Sequence, residues 1–132
     1  NLLIIAKLRD TGGTINAKLR FNNDSGLNYS LRASIDGGAD GTNIDDTSNQ
    51  LRATPVAQTQ YCFIWVWNQA AFRKLGRFIE MSDLSGAGTA PSRIEGAIKW
   101  QNAVDAITRV DIFNDGTGDY ATSSSIQVYG AV

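Results

Sequence analysis

Apolar and polar residues alternate along much of the chain with the two-residue period of a β-strand that has one buried face. In TINAKLRF (14–21) the four apolar side chains share one face and the polar ones share the other. The same alternation recurs in LNYSLRA (27–33), RIEGAIKW (93–100) and SIQVYG (125–130). We expect each segment to be a strand whose alternate apolar residues point into the core.

Two other segments are apolar on both faces. LLIIAKLR (2–9) fits a central strand, a strand covered by a neighbour, or an edge strand that invites pairing with another chain. YCFIWVW (61–67) places four aromatic residues on one face of a single strand.

A third segment, WNQAAFRKLGRF (67–78), could form a turn or two of helix, but its alternation favours a strand.

Turn signals rich in Gly, Asp and Asn separate these runs, as in DTGG (10–13), NNDSG (22–26) and NDGTGD (114–119). Counting the runs gives about eight or nine short strands, which is the signature of an antiparallel sandwich or barrel. We therefore predict an all-β fold, an antiparallel two-sheet jelly-roll-like β-sandwich. Residues 1–132 are expected to form a single domain.

Charge and composition exclude several classes of function. With 12 basic and 13 acidic residues the chain lacks the basic surface that nucleic acid binding needs, and we expect no nucleic acid partner. The apolar run 61–67 is far too short for a membrane span, so no membrane association is expected. The single cysteine, Cys62, excludes an internal disulfide, fits a reducing compartment, and is expected to be a buried hydrophobe.

Catalytic chemistry has little support in the sequence. The chain has no histidine, which removes the commonest general base and zinc ligand. Its two glutamates, Glu80 and Glu95, stand near Arg77 and Arg93, and we interpret both as members of ion pairs on a solvated face. We expect no enzyme activity, no cofactor and no metal.

An acidic loop, DGGADGTNIDD (36–46), offers carboxylate ligands that Ca²⁺ could use. The EF-hand spacing is not met, because the third and twelfth positions would be Gly38 and Thr47. Since Asp and Gly are also the ordinary residues of tight turns, a solvated loop is the favoured interpretation.

The aromatic residues allow two interpretations. Sugar-binding modules stack pyranose rings on exposed aromatic side chains, whereas aromatic side chains in most strands fill the core. We expect Trp65 and Trp100 to be core residues. Trp67 stands beside Asn68 at the end of its strand, and the two interpretations are closely balanced there.

Three segments carry a family resemblance: FNNDSGLNYS (21–30), APSRIEGAIKW (90–100) and AITRVDIFNDGTGDYATSSSIQVYG (106–130). Together they resemble a β-sandwich module of tailed-bacteriophage virion proteins, found in capsid decoration (cement) proteins and in tail or fibre proteins. The resemblance is weakest over 36–60. Tyr120, Thr122 and Ser123 depart from the usual ending of the family, where Phe, an arbitrary residue and Gly are common.

The resemblance implies a non-enzymatic structural protein of the virion, assembled in the bacterial host cytoplasm. Its partners would be major capsid or tail proteins, and it would form a homo-oligomer such as a trimer. Capsid decoration is favoured, because the chain shows no shaft or coiled-coil sequence. The alternative is a carbohydrate-binding module of a tail or fibre that attaches to a cell-surface glycan. Residues expected to contact a glycan or partner are Trp67, Asn68, Tyr120, Asp115 and Asp119.

The segment DIFNDGTGDYATSSSIQVYG (111–130) fits a closing β-hairpin. Its Asn-Asp-Gly and Thr-Gly-Asp triplets would supply the positive-φ residues of the turn. We interpret its acidic residues as turn formers.

Overall fold

The computed structural model describes residues 1–54, 58–83 and 86–130, apart from the side chains of residues 52–54. The described residues form ten strands and no helix. The strands are β1 (Leu2–Arg9), β2 (Ile15–Phe21), β3 (Tyr29–Ile35), β4 (Gly41–Asp46), β5 (Asn49–Thr54), β6 (Thr59–Val66), β7 (Lys74–Ser82), β8 (Ser92–Trp100), β9 (Val110–Asn114) and β10 (Ser125–Gly130).

The strands form two antiparallel sheets of unequal width. The large sheet has the order β10-β1-β6-β7-β8-β3-β4, and the small sheet has the order β5-β2-β9. The predicted all-β, two-sheet antiparallel fold is therefore confirmed, with ten strands where about eight or nine were expected. The strand predicted at WNQAAFRKLGRF (67–78) is confirmed only in its second half, because β7 begins at Lys74 and residues 67–73 form a turn.

The core lies between the small sheet and the middle strands of the large one. In β2 the four residues Ile15, Ala17, Leu19 and Phe21 are all buried, as the alternation predicts. Trp100 at the end of β8 is also buried and stacks on Tyr29, with ring centroids 6.4 Å apart. Aromatic side chains bury more area than any others, so this pair anchors one end of the core.

Because the small sheet is narrow, it leaves both flanks of the large sheet uncovered. Ile126 and Val128 of β10 lie on the core-facing side but remain exposed, so their predicted burial is wrong. At the other flank, a cleft of about 590 Å³ opens between β3, β4 and β5, with Leu31, Ile35 and Leu51 in its lining. The three-stranded sheet is too narrow to cover the seven-stranded one.

The N-terminal strand β1 is central, with β6 on one side and β10 on the other. This excludes the edge position that the sequence left open for it. The predicted hairpin over 111–130 is also wrong, because β9 belongs to the small sheet and β10 to the large one. The chain crosses between the sheets there, and β10 rather than β1 is the edge strand.

The FNNDSGLNY connection between β2 and β3 is held by its own polar groups. The Tyr29 hydroxyl accepts a hydrogen bond from the Phe21 backbone N–H (2.9 Å) and donates one to the Phe21 carbonyl (3.2 Å). Asp24 accepts a hydrogen bond from the Trp100 indole N–H at 2.7 Å. Leu27, predicted to point inward, is exposed because it lies in this turn and precedes β3. The motif that carries the family resemblance thus has a structural role.

Candidate binding surface

The residues predicted to contact a glycan or partner lie at two opposite ends of the sandwich. Trp67 follows the end of β6 that pairs with Leu2, whereas Tyr120 bridges to Asp10 beyond the other end of β1. At about 3.3 Å per residue, these two levels are roughly 25–30 Å apart along the strand. The structure therefore does not bring Trp67 and Tyr120 into one site.

Asn68 has a structural role. Its side-chain oxygen accepts a hydrogen bond from the Ile107 N–H at 2.6 Å, and its amide nitrogen donates to the Ile107 carbonyl at 3.0 Å. The Asn68 side chain thus exchanges two hydrogen bonds with the Ile107 backbone, as paired strands do, and it fixes the loop before β9. An amide used in this way has little capacity left for a ligand.

Tyr120 is partly buried against the core and is not a flat exposed platform. Burial raises the pKa of its hydroxyl, and the nearby Cys62 raises it further. Asp119 is exposed in the same loop, and its carbonyl accepts a hydrogen bond from the Thr11 N–H at 3.0 Å. Asp115 is exposed too and lies 3.6 Å from the Lys18 ammonium. Tyr120, Asp119 and Asp115 therefore hold the connection between β9 and β10 in place.

The NDGTGD loop packs against the loop between β1 and β2. A Cβ atom at Gly116 would collide with the Thr14 carbonyl, and one at Gly118 would lie 3.0 Å from the Gly12 carbonyl oxygen. The positive φ angles occur across the contact instead, at Gly12 (142°) and Gly13 (101°). The prediction that residues 114–119 supply a positive-φ turn is therefore wrong. Gly116 and Gly118 are required instead because the backbones of the two loops approach each other closely there.

The acidic segment 36–46 is partly a strand, since β4 occupies Gly41–Asp46. The Asp36 carboxylate accepts hydrogen bonds from the Ser92 hydroxyl (3.0 Å) and the Arg93 N–H (2.6 Å), and Asp40 lies 3.5 Å from Arg32. Over residues 1–54, 58–83 and 86–130 no group of three or more His, Cys, Asp or Glu side chains is placed to hold a metal ion.

The two glutamates lie on opposite faces of the large sheet. Glu95 is on the outer face, 3.3 Å from Arg93 and 3.9 Å from Arg77, as the sequence predicts. Glu80 is fully buried on the inner face beside Cys62, so its expected solvated position is wrong. Burial raises the pKa of the Cys62 thiol, and the nearby Glu80 adds to that rise. Glu80 stands two residues after the buried Phe78 in β7, so its side chain points to the same inner face.

The outer face of the large sheet carries a continuous apolar surface, which we call the aromatic face. The strand pairing places Tyr129, Leu3, Trp65 and Arg77 in one row across four strands. The next rows bring Ile5 beside Phe63 and Ile79, and Tyr61 beside Met81. The apolar members of the aromatic face are Leu3, Ile5, Tyr61, Phe63, Trp65, Trp67, Leu75, Ile79, Met81 and Tyr129.

These side chains point to solvent. Trp65 is 45% exposed and Trp67 is 69% exposed, so the expected core position of Trp65 is wrong, whereas that of Trp100 is confirmed. Phe63 and Trp65 stack on each other with ring centroids 6.4 Å apart. The inner face of β6 is already filled by the smaller Cys62, Ile64 and Val66, which leaves the aromatic side chains outside.

A polar border limits the aromatic face on one side. Arg77 and Glu95 form an ion pair there, and β8 continues with Arg93 and Lys99 on the same outer face. An apolar centre with a polar rim is the usual anatomy of a protein interaction surface.

A small cleft lies at one end of the aromatic face. It has a volume of about 240 Å³ and is lined by Trp67, Gln69, Phe72, Arg73 and Leu75. Two aromatic rings beside a guanidinium and an amide give both stacking surfaces and hydrogen-bond donors. Lys74, in contrast, is buried under this cleft, where its ammonium donates to the Phe72 carbonyl at 2.7 Å. Burial lowers the pKa of Lys74, and Asp105 partly offsets this.

The sequence pointed to one part of this surface and missed the rest. The shared parity of Tyr61, Phe63, Trp65 and Trp67 indicated an aromatic stripe. The contributions of Leu3 and Ile5 were missed, since only the pairing of β1 with β6 places them alongside. The doubly apolar character of LLIIAKLR was the available signal for them.

Comparisons with protein-family models, curated proteins and solved structures found no match to this chain. None of the described residues belongs to a helix long and apolar enough to cross a membrane.

Proposed function

We propose that the protein is a non-enzymatic structural module of a tailed-bacteriophage virion, which binds neighbouring subunits through its aromatic face. The observation that carries this proposal is the exposure of Tyr61, Trp65, Trp67 and Tyr129 on one side of the large sheet. Contiguous apolar surface of this kind is rare on proteins that remain alone in solution, and it marks sites of association.

The chemistry of the aromatic face suits a protein partner. Tyr and Trp are the residues most enriched in interface centres, because each buries a large area with few rotatable bonds. The Arg77–Glu95 border adds polar groups that fix orientation. An open sheet surface also suits docking onto another subunit better than it suits enclosure of a small substrate.

Within this proposal, capsid decoration is the first candidate position of the protein, and the tail is the alternative. A copy number in purified particles that follows the capsid lattice supports decoration. A handful of copies per particle places the protein in the tail instead.

The role of the aromatic face is tested by adding purified protein to particles assembled without it. The double variant Tyr61→Ser, Trp65→Ser should fail to co-sediment with particles that bind the wild type. Ile44→Ser removes an even more exposed apolar side chain from β4, away from the aromatic face, and should bind normally. Equal binding by the double variant and the wild type would sink the proposal.

A second candidate function is carbohydrate binding at the Trp67–Phe72 cleft, which is the attachment role of a tail or fibre module. The cleft places two exposed rings and Arg73 around a volume of about 240 Å³. A glycan array with the wild type, Trp67→Ala and the matched control Trp65→Ala separates the two functions. Specific binding lost only in Trp67→Ala supports attachment, and a blank array with the wild type rejects it.

A further inference from the structure

Strand β10 is an edge strand without the usual protection. No described residue pairs with it on the side away from β1. Its sequence, SIQVYG, contains no charged residue and no proline, and all six residues are exposed. Edge strands of soluble proteins normally carry charges, prolines or bulges that prevent pairing with another chain.

The other edge of the same sheet shows that protection. Strand β4 ends in Asp45 and Asp46, and its pairing with β3 is interrupted by a register shift. Asp45 also has a positive φ of 51°, which distorts the strand. The contrast between the two edges indicates that β10 is open to pairing and that β4 is not.

The direction of the free backbone groups on β10 follows from the register of the sheet. The Trp67 N–H bonds to the Leu75 carbonyl and the Asp83 N–H to the Thr59 carbonyl, so odd-numbered residues of β6 bond to β7. Even-numbered residues of β6 therefore bond to β1, and odd-numbered residues of β1 bond to β10. The N–H and C=O groups of Ile126, Val128 and Gly130 must then point away from β1.

These groups complement a second copy of themselves. In an antiparallel pair centred on Val128, each Val128 exchanges two hydrogen bonds with its counterpart, and Ile126 exchanges two with Gly130 of the other copy. All six outward groups on each strand are then used. The absence of charge on β10 means that two identical strands meet without repulsion.

The side chains support the same arrangement. Ile126 and Val128 are 46% and 47% exposed on the core-facing side, where the small sheet does not reach them. Pairing places Val128 against Val128 and brings Gln127 opposite Tyr129 on the outer face. Both sides of the strand therefore gain contacts from a second copy.

We propose that the protein forms a two-fold dimer by antiparallel pairing of β10 with β10 of a second copy. Antiparallel edge pairing requires a two-fold axis perpendicular to the sheet, so the result is a closed dimer. The two aromatic faces then lie side by side on the same surface of one continuous sheet. This pairing goes beyond the proposed function, because it stands whether or not the aromatic face binds a virion subunit.

The test uses Val128→Pro in the full chain, with molar mass measured by sedimentation equilibrium over a range of concentrations. Because the Val128 N–H points outward, proline there leaves the β1–β10 ladder intact but removes the central donors of the pair. We expect a wild-type dimer whose association weakens at least about tenfold in Val128→Pro. Circular dichroism checks that the variant is folded.

Val128→Lys gives an independent variant, since it sets two ammonium groups against each other at the two-fold axis. Ile44→Lys on the other edge is its matched control and should dimerise like the wild type. Amide exchange supplies a second measurement, in which the Val128 N–H is protected at high concentration and loses protection on dilution. A wild type that is monomeric at every concentration overturns the proposal. A dimer that survives both Val128 variants overturns it as well.

Discussion

The two faces of β6 both carry apolar or aromatic side chains, but they differ in burial. Cys62, Ile64 and Val66 are buried, whereas the larger Tyr61 and Trp65 on the other side are exposed. If side-chain size alone decided burial, the aromatic residues would be inside. Burial is decided instead by the position of the small sheet, which covers only one side of the large sheet.

The largest effect should come from the inner face, with Trp100→Ala. Trp100 is buried, stacks on Tyr29, lies 5.7 Å from the Phe21 ring, and donates its indole N–H to Asp24. Removing a buried tryptophan should lower the free energy of unfolding by about 3–5 kcal/mol. Denaturant unfolding measures this loss, and a loss below about 1 kcal/mol would place Trp100 outside the core.

Asp24→Asn tests the polar end of the same face. Burial alone would raise the pKa of Asp24, but hydrogen bonds from Trp100, the Gly26 N–H and Asn28 outweigh it and hold the pKa below 3.8. Asp24 therefore stabilises the fold above pH 3.8, and this contribution disappears as the pH falls through the lower folded pKa. The variant should lose about 2 kcal/mol at neutral pH.

Unfolding midpoints measured between neutral and acidic pH check this sign. The difference between wild type and Asp24→Asn should shrink as the pH falls below 3.8. A difference that grows in acid would contradict the assignment.

Tyr29→Phe should have a smaller effect on the inner face, about 1 kcal/mol, because the Phe21 N–H loses its acceptor. Burial raises the pKa of Tyr29 from 10.0 to about 12. The stability that follows is fully present below pH 10.0 and is lost as the pH rises through about 12. Unfolding midpoints in alkali should therefore decline less in Tyr29→Phe than in the wild type. An equal decline would show that Tyr29 ionises as easily in the folded protein as in the unfolded chain.

Trp65→Ala should have the smallest effect, and it is the matched counterpart of Trp100→Ala. Trp65 is 45% exposed, and its ring stacks on that of Phe63. The free energy of unfolding should fall by less than about 1 kcal/mol. If Trp65→Ala were as destabilising as Trp100→Ala, the outer face would be part of a core.

The sequence predicts which face of a strand points inward where only one face is apolar, and it does not where both faces are apolar. In β2 and β8 only one face is apolar, so the alternation identifies the face that points inward. The large apolar residues expected on that face are buried in both strands. In β6 both faces are apolar, so the local pattern cannot say which one the small sheet covers. The assignment of Trp65 to the core failed for this reason.

The candidate surface depends on non-local pairing, which periodicity does not encode. The row of Tyr129, Leu3 and Trp65 joins residues from both ends of the chain. The crossover at 114–119 was mistaken for a hairpin because its glycines suit either a turn or a close backbone contact. The partners of those glycines lie in the loop between β1 and β2, about 100 residues earlier.

The claim that the outer face of β6 is a docking surface is tested most directly by oxidative footprinting of Trp65, in the free protein and in the phage particles to which we propose that it binds. Trp65 should react readily in the free protein and become protected several-fold in particles, while buried Trp100 stays unreactive in both. Trp65 that reacts equally in free protein and in particles would contradict the account.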